Sequence, residues 1–440
     1  MSNNNICIIG DILIDYTVSF NDQDKMRFGG IFHAARGAWA SNMDYTLCYF
    51  SPNYIDEKIE FFIKEHNGKG IKVGEVNGAP NVILIKDLKE IGDQGYELLL
   101  RDERNYRYEI EKLQDELISA NHSDILIFTG GYDLRVILKE VSTTISRVHI
   151  DISNDIDDFD TLLLLNKKFD TVFISTSSNV FKKTYNNKIE DLVEKCKPFC
   201  KNLVFKQNRG GTTCFNFEKP EVLKISSQTK PIVHSVGVGD NFDLAYINKV
   251  HSNSQIDSLN YASWFAMEYA STTYPDDFKL AIERIEQIPI IDLKNNPGVY
   301  LPWDDRQEIN IYIAAPDFDY VDTSFIDKLA TALEYHNFRA RRPVRENGQL
   351  NSNSSNKDKL NIFKKDMLLL DHCNILIAVL LFDDPGTLIE IGLAAGAKIP
   401  VIVYDPFKIA ANCVLTSLPR LVTNDLDMVI SEVFIISKNK

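Results

Sequence analysis

The chain has 440 residues, 44% hydrophobic and 25% charged, which excludes a disordered or fibrous protein and is too long for one ordinary core. A formal net charge of −14 counts against a general nucleic-acid surface, which needs clustered Lys and Arg, so no nucleic-acid partner is expected. No apolar run has bilayer length, Met1-Ser-Asn-Asn-Asn shows no leader pattern, and the seven cysteines are scattered; a cytoplasmic protein with no membrane partner and no disulfide framework is expected.

The first 290 residues alternate strand-like and helix-like segments. Ile6–Ile9 is a short apolar run that ends in Gly10-Asp11-Ile-Leu-Ile-Asp15-Tyr16, so two carboxylates stand at a strand end. Asp15 there can accept hydrogen bonds from sugar hydroxyls or simply cap a turn. Phe28-Gly29-Gly30 leads into a helix of small residues through Ala34, Ala35, Gly37, Ala38 and Ala40. Val82–Ile85, Ile125–Thr129, Val148–Ile152, Thr171–Ile174 and Leu203–Phe205 read as further buried strands, several of them at βαβ spacing. Tyr96–Arg101 alternates instead and suits a small, half-exposed lid sheet. Cys196 and Cys200 lie four apart on a predicted helix with no second Cys or His pair nearby, so no metal site is expected. Ser235-Val-Gly237-Val238-Gly239-Asp240 is a glycine turn at a helix start, where free N–H groups could hold a phosphoryl group. Asp240 could accept the proton of an attacking hydroxyl.

Periodicity fades over residues 291–308, where Asn295-Asn-Pro-Gly and Leu301-Pro-Trp-Asp-Asp predict a linker between two domains, 1–290 and 309–440. A fresh α/β pattern follows: strand Ile309–Ala314, helix Thr323–Tyr335, strand Ala340–Val344 and a polar loop Asn347–Lys359. Helix Lys359–Asp371, strand Ile375–Leu381, helix Gly386–Gly396 and strand Pro400–Tyr404 complete it. The apolar run after Asn374 breaks at Asp383-Asp384-Pro385-Gly386, and Glu390 sits on the apolar helix beyond. Tyr312-Ile-Ala-Ala315-Pro316 ends its strand in a small turn that lets a flat ligand approach the backbone. A carboxylate in such a pocket can attack an anomeric carbon and form a covalent glycosyl intermediate. The competing reading makes Asp384 a helix cap and Glu390 the partner of a surface cation.

Ile311-Tyr312-Ile-Ala-Ala-Pro with Asp384-Pro-Gly-Thr-Leu-Ile-Glu390-Ile-Gly resembles the nucleoside 2-deoxyribosyltransferase family over most of residues 309–440. The resemblance implies a flavodoxin-like, Rossmann-like parallel-sheet domain that needs no cofactor. It implies Glu390 as nucleophile at C1′, Tyr312 as its orienting partner and Asp384 as a sugar-positioning group. Ala315, Pro316, Gly386 and Asn374 would line the substrate. Asn374 falls where the transferases carry a proton-handling aspartate, and an amide cannot trade a proton. Bond cleavage is therefore expected over base exchange, with Asp371 as a stand-in acid.

Gly10-Asp11, Gly29-Gly30 and Gly237-Val-Gly239-Asp240 fall in the order of the ribokinase-like PfkB kinases, and the resemblance covers residues 5 to about 290. It implies an α/β/α sandwich with a small lid sheet, Asp240 as catalytic base, and an anion hole at Gly237, Val238 and Gly239. Asp15, Gly29 and Gly30 would bind the acceptor, and ATP with Mg²⁺ would be the phosphoryl donor. Three departures stand against it: His33 replaces the usual Asn, Ser175 to Ser178 replaces Asn-x-x-Glu, and His234-Ser-Val replaces Asp-Thr-Thr. Serine hydroxyls are poor substitutes for a carboxylate near magnesium. Arg209, in Asn-Arg-Gly-Gly, could contact a phosphate or lie in solvent.

The combined expectation is a nucleoside- or nucleotide-processing enzyme whose C-terminal domain cleaves or transfers an N-glycosidic bond and whose N-terminal domain binds, and could phosphorylate, a sugar or nucleoside. One alternative is an N-glycosidase that depletes nucleotides or NAD, its kinase-like domain serving as a sensor or assembly module. A non-catalytic scaffold is the other. By the transferase resemblance a homo-oligomer is expected.

Overall fold

The computed structural model describes residues 5–18, 25–152, 156, 159–296, 298–350 and 353–438. It divides into two compact units, one of residues 1–90 and 94–300, the other of residues 91–93 and 301–440. Among the described residues no helix is long and apolar enough to cross a membrane.

The strands of the first unit are β1 (Asn5–Thr17), β2 (Lys25–Gly30), β3 (Asp44–Ser51), β4 (Lys69–Asn77), β5 (Val82–Ile85), β6 (Glu97–Leu98) and β7 (Asn105–Tyr108). They continue with β8 (Asp124–Phe128), β9 (Arg147–Asp151), β10 (Phe169–Ser175), β11 (Cys200–Lys206), β12 (Thr212–Asn216) and β13 (Glu221–Ile225). The main sheet runs β13-β12-β11-β10-β9-β8-β1-β3-β4-β7. Its centre is parallel and apolar on both faces, as a sheet covered by helices must be. Ile6, Ile8, Leu47, Leu126, Phe173 and Val204 pack on one side against Ala34, Ala35, Leu244 and Phe265 of the helices.

β1 belongs to two sheets. Asn5–Asp11 pairs with β3 in the main sheet, whereas Ile12–Thr17 pairs antiparallel with β2 and, from Ile14, parallel with β5. The lid sheet is thus β1's own extension joined by β2, β5 and β6, and Asp15 lies on that extension. Val82–Ile85 serves this lid rather than the main core. The expected Tyr96–Arg101 strand shrinks to Glu97–Leu98, because Arg101–Glu103 turns into a short 3₁₀ segment.

The second unit holds β14 (Asn310–Ala314), β15 (Arg339–Arg341), β16 (Ile375–Val379), β17 (Val401–Tyr404) and β18 (Leu421–Thr423), all parallel in the order β15-β14-β16-β17-β18. That is the flavodoxin-like order, which reverses between β14 and β16, and ligands gather in the crevice beyond the carboxyl ends at such a reversal. The expected strand Ala340–Val344 stops at Arg341, since Pro343 opens the short helix Pro343–Asn347. The helix after it begins at Asn356, three residues before the expected start, because Ser355 and Asp358 form a reciprocal capping box.

The expected linker is folded. Ile290–Asn295 is helical, Val299 bridges to Ser227, and Asp304–Glu308 forms a 3₁₀ turn whose Arg306 is wholly buried. Arg306 Nε donates to Leu301 O at 3.1 Å, and its guanidinium lies over the Trp303 and Phe434 rings. The units divide after Tyr300. Pro297 of the linker and residues 351 and 352 of the polar loop lie outside the described residues.

At the amino ends of β8 and β9, the buried Asp124 accepts from Arg147 Nε and Nη2 (2.9 and 3.0 Å), with His149 Nε2 (3.1 Å) and His251 Nε2 (3.0 Å) on the same carboxylate. Burial alone would raise its pKa, but the bonds from His149, His251 and Arg147 override this and hold it far below 3.8. A depressed carboxyl pKa contributes stability above the unfolded value that is lost as pH falls through the folded one. Asp124→Asn is therefore expected to cost about 3 kcal/mol at neutral pH, a gap that narrows progressively below pH 3.8. Denaturant unfolding of the full chain at a series of pH values checks it; a pH-independent gap would refute the linkage.

Candidate functional site

In the second unit the chain brings Tyr312 and Glu390 together. Tyr312 is the central residue of β14, and Glu390 faces it from the Pro385–Gly396 helix. The Tyr312 hydroxyl donates to Glu390 Oε1 at 2.6 Å, across 78 residues of sequence. Tyr312 is buried, with Ala314, Leu376, Ala378, Ile391 and Ala394 in one apolar cluster around it. Burial pushes the Glu390 carboxyl up to about 7; the charges of Asp366 and Asp384 add to this, and the Tyr312 bond opposes it. Burial and the same carboxylate drive the Tyr312 phenol upward, so it remains a donor.

Asp384 caps the helix. Its Oδ2 accepts from Thr387 N at 2.7 Å and Thr387 Oγ1 at 2.8 Å, which aligns the first turn of the helix that carries Glu390 one turn further on. Gly386 is exposed on that turn, while Ala315 is half-buried and Pro316 buried at the end of β14. The cap half of the competing reading thus holds, but Glu390 bonds a buried tyrosine rather than a surface cation.

Asn374 stands elsewhere. Its Oδ1 accepts from Asn310 N at 2.8 Å and its own N–H donates to Asn310 O, so it ties the amino ends of β14 and β16 together. Asp371 is exposed at its helix end. The carboxyl coupled to Glu390 and Tyr312 is Asp366, half-buried on the Asn356–Asp371 helix. Burial raises its pKa, opposed by Asn347 Nδ2, which donates to Asp366 Oδ1 at 2.8 Å. Sequence reasoning missed Asp366 because it lies one helix away from both motifs. Its signal was a carboxylate in the helix interior, directly after Lys364 and Lys365, whereas Asp358 and Asp371 stand at the helix ends.

In the first unit, Asp15, Gly29, Gly30 and the Gly237 turn also converge. Asp15 Oδ2 lies 2.9 Å from His33 Nε2 and 3.4 Å from Arg27 Nε. A Cβ at Gly29 would collide with the Asp15 carboxylate, so only glycine lets β2 pass there. Burial lowers the His33 pKa to about 4 against the pull of Asp15. The neutral ring therefore donates from Nε2 to Asp15 and accepts at Nδ1 from the Tyr269 hydroxyl, 2.8 Å away. Burial works to raise Asp15, yet His33, Arg27 and Arg36 leave it lowered and ionised. Gly237 adopts φ of 80°, and its missing side chain leaves room for the His33 ring. Arg27 Nη2 donates to Val236 O at 3.0 Å, joining the lid strand to the turn.

Asp240 lies in the first turn of the Val238–Lys249 helix, after Val238 and Gly239. Burial and the charge of Asp151 push it up to about 7, with Lys206 opposing. Lys206 Nζ sits 2.8 Å from Asp151 Oδ2 and 2.8 Å from Asp243 Oδ2. Ser178 Oγ donates to Ser175 O at 2.8 Å and accepts from Phe181 N, serving a local turn. With Ser178 committed to the Ser175 carbonyl, the Ser175 hydroxyl paired with that of Ser177, and both Asp151 and Asp243 bonded to an ammonium, these residues do not fit a magnesium shell. Among the described residues no group of three or more His, Cys, Asp or Glu side chains is placed to hold a metal. Arg209 Nη2 donates to Lys89 O at 3.1 Å.

Residues 311–417 match the family model of nucleoside 2-deoxyribosyltransferase. An uncharacterized sugar kinase from Pyrococcus horikoshii superposes with a TM-score of 0.50 at 14% identity, over 66% of this chain and 99% of its own. A nucleoside kinase of the ribokinase family from Methanocaldococcus jannaschii gives 0.45 at 13%, over 65% and 99%. A ribokinase from Thermotoga maritima gives 0.47 at 13%, over 64% and 99%. No curated protein matches the chain by sequence. The N-terminal unit thus shares the ribokinase-like fold, and the match to the transferase family model lies within the C-terminal unit.

The Glu390 carboxyl is expected to titrate near 7, moving up in Tyr312→Phe, which removes a bond to the ionised form, and down in Asp366→Asn, which removes a negative neighbour. Carbon-13 NMR of labelled Glu carboxyls, with the signal assigned by its loss in Glu390→Gln, measures both. A midpoint near 4.5 in all three proteins would refute the coupling.

Proposed function

We propose that the C-terminal domain breaks the N-glycosidic bond of a nucleoside or nucleotide through a covalent glycosyl–Glu390 intermediate. The observation that carries the reading is the buried 2.6 Å bond from Tyr312 to Glu390 at the sheet's reversal point. A Glu390 oxygen attacks C1′, the C1′–N bond breaks, and its electron pair passes to the base nitrogen. Asp366, whose proton affinity burial raises, gives that nitrogen a proton. Water then attacks C1′, Asp366 takes its proton, and Glu390 leaves as the carboxylate. A second base in place of water gives transfer. With Asp366 in this role the amide at Asn374 is no obstacle to exchange, and no cofactor is required. Tyr312 holds the carboxylate on its line of attack, Asp384 fixes the helix turn, and Ala315, Pro316 and Gly386 leave room for the substrate.

The N-terminal domain is a binding module for a small sugar or nucleoside, held by Asp15, Gly29 and Gly30 with the Gly237-Val238-Gly239 turn. One observation favours a second reading, phosphorylation from ATP: Asp240 is poised near 7 on that turn, the range a general base needs. The chain acts as a homo-oligomer; exposed Ile389 and Leu393 beside the nucleophile, with Leu360, Phe363 and Leu368 on the neighbouring segment, support a second copy as partner.

Glu390→Ala is expected to lower base release from a mixed panel of nucleosides and nucleotides at least about a thousandfold, read by chromatography. Equal release by wild type and variant would refute the nucleophile. Asp240→Ala should abolish any ATP-dependent phosphorylation, measured with labelled ATP on sugars and nucleosides; wild type that phosphorylates nothing would leave the binding-module reading standing.

A further inference from the structure

Four arginines lie on β15 or just after it in Arg339-Ala-Arg341-Arg342-Pro-Val-Arg345, and the last three are not held alike. Arg341 Nε donates to Glu346 Oε1 and Oε2 at 2.9 and 3.1 Å. Arg342 forks onto the buried Asp317, with Nε to Oδ2 and Nη2 to Oδ1 both 2.8 Å, and its Nη1 reaches Asp327 at 2.7 Å. Arg345 touches the same Asp317 through one nitrogen at 3.2 Å, and its other terminal nitrogen lies 3.9 Å from Asp319. Asp317 is already matched by Arg342, so the second guanidinium exceeds what its neutralisation needs. The Asp319 carboxylate is 79% exposed, where an ion pair is worth little. Arg345 itself stays 47% exposed.

Its position ties it to the crevice. Asp317 comes directly after the Tyr312-Ile-Ala-Ala-Pro strand end, and Asp317 N donates to Ala315 O at 2.8 Å. On Arg345's other side, Asn347 of the same short helix donates to Asp366, the carboxyl coupled to Glu390. The guanidinium therefore stands on the rim shared by the end of β14 and the end of β15. The charges of Asp366 and Asp384 act on Glu390, so an anionic substrate there needs a cation, and Arg341 and Arg342 are each already paired with carboxylates.

We infer that Arg345 recognises the phosphate of a nucleotide, so that nucleoside monophosphates, rather than nucleosides, are the substrate class of this crevice. The inference rests on the N-glycosidic reading above and sharpens it. A guanidinium offers parallel N–H donors that match two phosphate oxygens, and charge-assisted bonds of that kind are the strong ones. A phosphate dianion displaces the distant, solvated Asp319 while Arg342 keeps Asp317 paired. The exchange costs one weak contact.

Calorimetric titration of the full-length Glu390→Gln protein tests it, using ribo- and deoxyribonucleosides of the common bases and their 5′-monophosphates. At least one monophosphate should bind about tenfold more tightly than its nucleoside, a preference that shrinks as salt rises. Adding Arg345→Ala should bring the ratio below about twofold, and Arg345→Lys should restore part of it. Unchanged melting temperatures separate this from misfolding. A nucleoside that binds as tightly as its monophosphate overturns the inference, as does Arg345→Ala weakening both ligands equally, the mark of a mere brace. Base release by wild type without phosphate preference sinks this inference alone; no binding and no base release sink it together with the N-glycosidic reading.

Discussion

A carboxylate out of water needs a partner, and in the C-terminal domain that partner is a tyrosine hydroxyl 2.6 Å away. A lysine or arginine in its place would hold Glu390 ionised but would also spend its charge. A phenol is milder. It orients one oxygen, lowers the proton affinity partway, and leaves the other oxygen to the pocket. The features around the pair serve that arrangement. Parallel β14 supplies a rigid strand for Tyr312, the Asp384 cap sets the helix turn, and small residues at Ala314 and Ala378 leave depth for both side chains.

The two domains use one physical device to different ends. Each places an acidic residue near the start of a helix, beyond the carboxyl ends of parallel strands, and each raises its proton affinity by burial to about the same point, near 7. In the C-terminal domain the acid faces a hydroxyl donor and a second acid, the furniture of glycosidic chemistry. In the N-terminal domain Asp240 faces a compact ion cluster and a glycine turn, the furniture of anion or hydroxyl binding. The surroundings, more than the acid, distinguish the two sites.

Local motifs in the sequence foretold much of this. Asp384-Pro-Gly-Thr and Gly237-Val-Gly239-Asp240 are short, and their turn chemistry is readable residue by residue. Tyr312 was legible because it sits on an apolar run beside a turn of small residues. What stayed hidden depends on partners far apart in sequence. Lys206 meets Asp151 and Asp243 only after the sheet is assembled, and His33 meets Tyr269 across 236 residues. Asn374 misled because it heads the right strand, although Asp366 on the helix before it is the acid coupled to Glu390. The linker misled because Arg306, Trp303 and the acidic residues beside them look polar in sequence. Stacking on Trp303 and Phe434 gives Arg306 a place inside.

The ammonium of Lys206 is a counter-ion that the chain carries with it. A divalent cation at such a place would come and go with its concentration outside, and a chelator could strip it. A covalently tethered charge has an effective concentration that dilution cannot change. The charge balance beneath the glycine turn is therefore a property of the polypeptide itself, set when it folds.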